Sequence, residues 1–195
     1  MSLAPILASR SPRRQELLTT ILPEFSIQVS AADETLPAGT PPDEAVRLLA
    51  LRKASAVLAL QPAPGEALVI GSDTVVSIDG RILGKPHSQE ECLEMLQLLS
   101  GRRHTVYTGV ALLRGDRQRV FHEAAGVEFW PLSPREAGWY ASTPEPYDKA
   151  GGYGVQGLGS LLVKGIEGDY FTVMGLPVSR LWRELRSFAP ELFSF

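Results

Sequence analysis

Apolar positions along this chain come in two forms, short continuous runs and sets at helical spacing, and their interleaving predicts strands and helices in alternation. Ile6-Leu7-Ala8 reads as a short buried strand. Ser11-Pro12 follows at once, a capping side chain before a proline suited to the first helical position, and predicts a helix to about Thr19. Phe25 to Val29 alternates weakly as a strand, and a long helix is expected from about Pro42 to Leu60. Leu68-Val69-Ile70 is a buried strand that runs into Gly71-Ser72-Asp73-Thr74. Val75 to Ile78, the pair Asp79-Gly80 and Arg81 to Leu83 predict a hairpin, since Asp-Gly favours a type I′ turn.

Further on, Ser88 with Glu91 predicts a capping box and a helix ending near Gly101. Thr105 to Leu113 and Gln118 to Phe129 predict a long antiparallel pair joined across Gly115-Asp116. Ser133-Pro134-Arg135-Glu136 opens another capped helix. A glycine-rich stretch from Gly151 to Gly159 precedes strand-like Leu161 to Val163 and Tyr170 to Met174. The last helix is expected near Pro177, with Val178, Leu181, Trp182 and Leu185 on its apolar side. Helices among long antiparallel strands imply an α/β fold with a mixed sheet, and a plain doubly wound parallel sheet fits poorly.

Composition narrows the class. At 195 residues, 44% apolar and 21% charged, the chain suits one large domain or two closely joined lobes. The Pro- and Gly-rich segments Pro37 to Pro42 and Gln61 to Gly65 are too short for interdomain linkers, so a single domain over 1–195 is expected. A formal charge of -3 argues against a nucleic-acid partner, which needs a broad basic surface, but allows a small anion in a cleft. The lone Cys92 excludes an intramolecular disulfide or a multi-cysteine zinc site, and it reads as a thiol in a helix. No run approaches the roughly 20 apolar residues of a membrane span. Met1-Ser2-Leu3-Ala4-Pro5 lacks the basic and apolar regions of a secretory leader. A soluble cytoplasmic protein with no membrane partner is the expectation.

Several residues break local rules. Arg13 and Arg14 place two cations at a helix N-terminus, where the helix dipole disfavours them by some tenths of a kcal/mol each. They suit a phosphate site beside free backbone N–H groups, or they are solvated arginines turned away from the helix end. Lys53 falls in the middle of the arc formed by Val46, Leu49, Ala50, Val57 and Leu60. A lysine there must snorkel, pair with a carboxylate or reach an anion. Asp73 follows the apolar strand, at a strand end suited to a magnesium ligand or a water-orienting base, although Gly-Ser-Asp is also good turn chemistry. Asp33-Glu34 lies in a polar loop, and Lys85 sits between Gly84 and Pro86 at the end of the hairpin. In the glycine-rich run from Asp148 to Gly157 the backbone can approach a ligand closely, and the Gln156 amide suits the edge of a nucleobase. That run has neither the Walker A nor the dinucleotide-binding spacing.

These stretches also carry a family resemblance. The chain resembles the Maf proteins, nucleoside triphosphate pyrophosphatases, over nearly its whole length. The matching motifs are Leu7-Ala8-Ser9, Ser11-Pro12-Arg13-Arg14, Asp33-Glu34, Lys53-Ala54, Gly71-Ser72-Asp73-Thr74 and Gly84-Lys85-Pro86. They continue through Ser100-Gly101, Asp148-Lys149-Ala150-Gly151, Gly154-Val155-Gln156-Gly157 and Gly175-Leu176-Pro177. The resemblance implies a fold like that of inosine triphosphate pyrophosphatases, with a long mixed central sheet flanked by helices and two lobes around one cleft. It implies a homodimer, a divalent cation (Mg²⁺ or Mn²⁺) and cleavage between the α- and β-phosphates by water.

By the same resemblance Asp73 is the proton acceptor, and Arg13, Thr74 and Gln156 occupy positions linked with substrate choice. These three together resemble the dTTP/UTP branch rather than the 7-methyl-GTP branch, which typically has Trp after Ser-Pro. Arg10, where a small residue is frequent, and Val178, where Leu is common, depart from the pattern and bear only on fine substrate ranking. The expected site is therefore Glu34 and Asp73 for the metal, and Lys53 and Lys85 with Asp73 for catalysis. Ser9, Arg13, Arg14, Thr74, Lys149 and Gln156 would contact substrate. The alternatives are a 7-methyl-GTP pyrophosphatase, a broader house-cleaning activity on modified pyrimidine nucleotides, or a regulator of cell division that binds nucleotide without turnover.

Overall fold

A computed structural model describes residues 3–29 and 31–193. Met1 and Ser2, part of the stretch read for a leader, lie outside the described residues. The strands are β1 (Ala4–Leu7), β2 (Ser26–Ile27), β3 (Ala67–Ile78), β4 (Arg81–Leu83), β5 (Arg103–Arg114), β6 (Arg117–Phe129) and β7 (Val163–Glu167). The helices are α1 (Pro12–Thr19), α2 (Pro42–Leu58), α3 (Gln89–Leu99), α4 (Pro134–Ala141), α5 (Tyr170–Met174) and α6 (Val178–Phe188). The described strands form one sheet in the order β2-β1-β3-β5-β6-β7, with β4 paired to β3. Strands β1, β2 and β3 are parallel, whereas β4 and β7 are antiparallel to their neighbours. The fold is therefore α/β with a mixed sheet, as the interleaved pattern implies.

The chain divides into two compact units. The first takes in the described residues up to Asp73, then Thr108–Glu123, then those from Gly175 onward; the second is Thr74–Tyr107 with Ala124–Met174. In the first unit, Ile6, Ala8, Ala50, Ala54, Val57, Val69, Ala111 and Leu113 form a core cluster. The small side chains on α2 matter here. A Cβ on Gly71 would stand 2.3 Å from the Ala50 carbonyl oxygen and 2.9 Å from the Ala54 Cβ, and one on Gly109 would stand 2.2 Å from the Val46 carbonyl oxygen. Helix α2 thus lies directly on the backbone of β3 and β5, an approach that only glycine permits.

The second unit has its own core around Val76, Leu96, Leu99, Val127, Phe129, Tyr140 and Tyr153. Cys92 lies on α3 as expected, buried within this core, and burial pushes its thiol up to about 11. His104 is buried there too, its Nε2 2.6 Å from the Tyr153 hydroxyl and its ring edge-on to Phe129; burial lowers it to about 4.

Caps and turns largely follow the sequence. Ser11 accepts the Arg14 N–H at the start of α1, Ser133 and Glu136 form a complete capping box on α4, and Asp79-Gly80 turns with both φ positive. Five features differ from expectation. The strand expected over Leu161 to Val163 begins only at Val163 and runs to Glu167, after a 3-10 turn over Gly157–Leu161. Strand β2 is only two residues long and exposed. Strand β3 continues without a break through Gly71-Ser72-Asp73-Thr74, so Asp73 lies in mid-strand rather than at a strand end. Glu91 turns its carboxylate to the His87 N–H at 2.8 Å instead of closing a box on Ser88. Tyr170–Met174 is helical because Asp169 caps it, accepting the Thr172 N–H at 2.9 Å and the Thr172 hydroxyl at 2.8 Å. No described helix is long and apolar enough to cross a membrane.

Gly71→Ala should force α2 away from β3 and cost about 1–3 kcal/mol. Thermal unfolding will check it: a fall in Tm of several degrees is expected, and an unchanged Tm would contradict the close approach.

Candidate active site

Lys53 reaches a carboxylate, one of the three options its position on α2 allowed. Its flanking residues Ala50, Ala54 and Val57 are fully buried, while Leu60, placed on the same arc by sequence, is exposed beyond the helix end. The Lys53 Nζ lies 2.5 Å from Asp73 Oδ1 and 3.0 Å from Glu34 Oε1. The lysine and aspartate side chains are only 14% and 11% exposed, whereas that of Glu34 is 62% exposed. One ammonium therefore joins a nearly dry carboxylate to one open to solvent. Removing the lysine would strand the Asp73 charge, a change that costs about 3–5 kcal/mol for a buried pair.

The end of β1 delivers the next group. Its parallel register with β3 sets Leu7 against Ile70, and the Ala8 N–H bonds the Ile70 carbonyl at 2.8 Å. Ser9 leaves the strand just there, and its buried Oγ accepts the Ser11 N–H at 3.2 Å and Arg14 Nη1 at 3.4 Å. Arg14 Nε donates to the Gly175 carbonyl at 2.8 Å, which also accepts the Ser72 hydroxyl at 3.0 Å. Burial lowers the Arg14 guanidinium from its ordinary value; the negative charges of Asp73 and Glu34 oppose this and Arg13 reinforces it. Arginine stays protonated regardless. So Ser9, Arg13, Arg14, Glu34, Lys53 and Asp73, read singly from distant stretches of sequence, share one electrostatic neighbourhood in the first unit.

The loop carrying Glu34 is tied down by a residue the sequence did not single out. Arg52 Nη1 donates to the carbonyls of Thr35 at 2.6 Å and Asp33 at 3.3 Å, one on each side of Glu34. Asp33 itself faces inward on the loop, accepting the Thr35 N–H at 2.9 Å. Ser72 and the Gly175 carbonyl likewise had no role assigned from sequence, because the contacts that join them, Arg14 to Gly175 and Ser72 to Gly175, span 161 and 103 residues.

Thr74, Lys85, Lys149 and Gln156 lie in the second unit. Lys85 is exposed just after β4, and its neighbour Gly84 accepts the Gly151 N–H at 2.8 Å, which ties the lysine loop to the glycine-rich stretch. Lys149 Nζ donates to the Glu145 carbonyl at 2.6 Å and pairs with Asp148 at 2.5 Å. Gln156 precedes a 3-10 turn, Gly157–Leu161, is exposed, and does not cap that turn with its side chain. Its amide is therefore not committed to the turn it precedes. Thr74 follows Asp73 directly on β3 and is half-buried.

Among the described residues no three His, Cys, Asp or Glu come together as a self-sufficient metal site. Glu34 and Asp73 do place two hard oxygen donors around one cationic centre, now the Lys53 ammonium, and that donor set suits Mg²⁺ or Mn²⁺ with waters and phosphate oxygens completing the shell.

Two relatives called dTTP/UTP pyrophosphatase, from Bacillus cereus and Bacillus cytotoxicus, are 49% and 50% identical over 183 residues, 94% of either chain in both cases. A solved structure described as that of the Staphylococcus aureus Ham1 protein aligns with a TM-score of 0.49 and 18% identity, over 80% of this chain and 77% of that one. The family model for Maf-like proteins matches residues 5–188, so the chain belongs to the Maf-like protein family.

Proposed function

We propose that this protein hydrolyses dTTP and UTP to the nucleoside monophosphate and pyrophosphate. The observation that carries it is Lys53 bridging Asp73 and Glu34 beside two arginines at a helix N-terminus. A cation-rich site with a nearly dry carboxylate is what attack on a polyphosphate requires. The names of relatives sharing half their residues with this chain supply the substrate class.

Asp73 accepts a proton from water as the water oxygen bonds the α-phosphorus. The bond from that phosphorus to the bridging oxygen breaks, and pyrophosphate leaves with the electron pair. Arg13, Arg14, Lys53 and Lys85 offset the charge gathering on the leaving group. Ser9 and Lys149 hold phosphate oxygens in place, and Thr74 and Gln156 read the pyrimidine. Glu34 and Asp73 would hold a divalent cation, which supplies Lewis-acid stabilisation of phosphate charge when bound. The chain acts as a homodimer in the cytoplasm.

Pyrophosphate should appear when the protein is mixed with Mg²⁺ and dTTP or UTP, and none should form with excess chelator. Absence of product at enzyme-like rates in the presence of metal would instead favour a nucleotide-binding regulator. Asp73→Asn keeps an oxygen for Lys53 and should fold normally, yet lower kcat by about 10²–10⁴. Turnover near the wild-type rate in that variant would remove Asp73 as the base.

A further inference from the structure

Given the nucleotide-hydrolase assignment above, we propose that Glu145 is a positioning residue for base selection, holding the turn that presents Gln156. Glu145 opens a short 3-10 turn, Glu145–Asp148, and is half-buried. Its carboxylate accepts the Leu158 N–H at 2.8 Å, the Gly159 N–H at 2.9 Å and the Tyr140 hydroxyl at 3.1 Å. The Tyr140 oxygen in turn accepts the Gly154 N–H at 3.3 Å. Amides on both sides of Gln156 thus end on one connected pair of side chains. Gln156 itself stays exposed between them.

Three of the six residues in this bend, Gly154, Gly157 and Gly159, are glycines and give it little intrinsic order, because glycine loses more conformational freedom on folding than any other residue. Hydrogen bonds to an ionised acceptor are the stronger kind and offset that loss. The glycines are also what lets the backbone close on the carboxylate. A Cβ on Gly157, where φ is +64°, would stand 2.7 Å from Glu145 Oε2, and one on Gly159 would stand 2.8 Å from the Tyr140 hydroxyl. Burial, reinforced by the Glu145 charge, raises Tyr140 above the ordinary tyrosine range, so its hydroxyl keeps the proton it donates. The same glutamate also accepts Lys149 Nζ on its backbone carbonyl, which links the Gln156 turn to a proposed phosphate contact.

Glu145→Gln tests the role, since an amide nitrogen cannot accept from a backbone N–H. Steady-state rates for dTTP, UTP and dGTP should show the preference for the pyrimidines falling about tenfold, carried by KM rather than kcat. Gln156→Ala should relax the ranking similarly, and the double variant should relax it no further, as expected for coupled residues. Hydrogen exchange at Gly154, Leu158 and Gly159 should speed up while α3 stays protected. If the wild-type protein makes no pyrophosphate, the hydrolase assignment fails on its own, and unchanged exchange in Glu145→Gln still overturns the positioning role. If the wild type is active and Glu145→Gln keeps its ranking, or the two substitutions add, the positioning role is overturned while the hydrolase assignment stands. An unchanged ranking in Gln156→Ala also overturns it. Should Glu145→Gln not fold, Tyr140→Phe removes the hydroxyl joining Gly154 to the carboxylate; relaxed ranking supports the role and unaltered ranking overturns it.

Discussion

The site in the first unit depends on how closely helix α2 can lie against the sheet. Gly71 and Gly109 leave no side chain between the helix and the strands, and Ala50 and Ala54 keep the helix side of that contact thin. At this separation a lysine within an otherwise apolar face reaches the Asp73 carboxylate on β3. A bulkier residue at either glycine would lengthen that contact before it altered any charged group. Packing and electrostatics are therefore one constraint: the core's small residues decide where the ammonium ends.

The pair also explains why the surrounding groups are arranged as they are. Lys53 offsets the desolvation of Asp73, and the exposed Glu34 gives the ammonium a second partner at the solvent side. Arg52 fixes the Glu34 loop from the same helix, one residue away, through backbone carbonyls. Arg14 is fixed separately, by Ser9 and by the Gly175 carbonyl it shares with Ser72. In the second unit a different device is used. Backbone amides of a glycine-dense bend are collected by Glu145 and Tyr140, so order comes from hydrogen bonding where side-chain packing is scarce.

Much of this was legible in the sequence, for identifiable reasons. Ser11-Pro12 and Ser133 to Glu136 are local signals, and both caps formed as the residues dictate. The anomaly of Lys53 on its helical wheel was a local observation with a tertiary cause. Gly71-Ser72-Asp73 misled, because glycine before polar residues looks like a turn when its cause is the approach of α2 from far away in sequence. Tyr170–Met174 looked like a strand because its aromatic and β-branched residues outweighed the cap at Asp169. Arg52, Ser72 and Glu145 had no role assigned from sequence for a common reason. Each acts on backbone groups of another segment, and no spacing rule reports such a contact.

In the proposed reaction water attacks the α-phosphorus with Asp73 as its base. Turnover of dTTP in ¹⁸O-labelled water, followed by mass spectrometry of both products, tests that step at the bond that forms. One labelled oxygen should appear in the nucleoside monophosphate and none in pyrophosphate. Label in pyrophosphate would place the attack on the β-phosphorus and contradict the account.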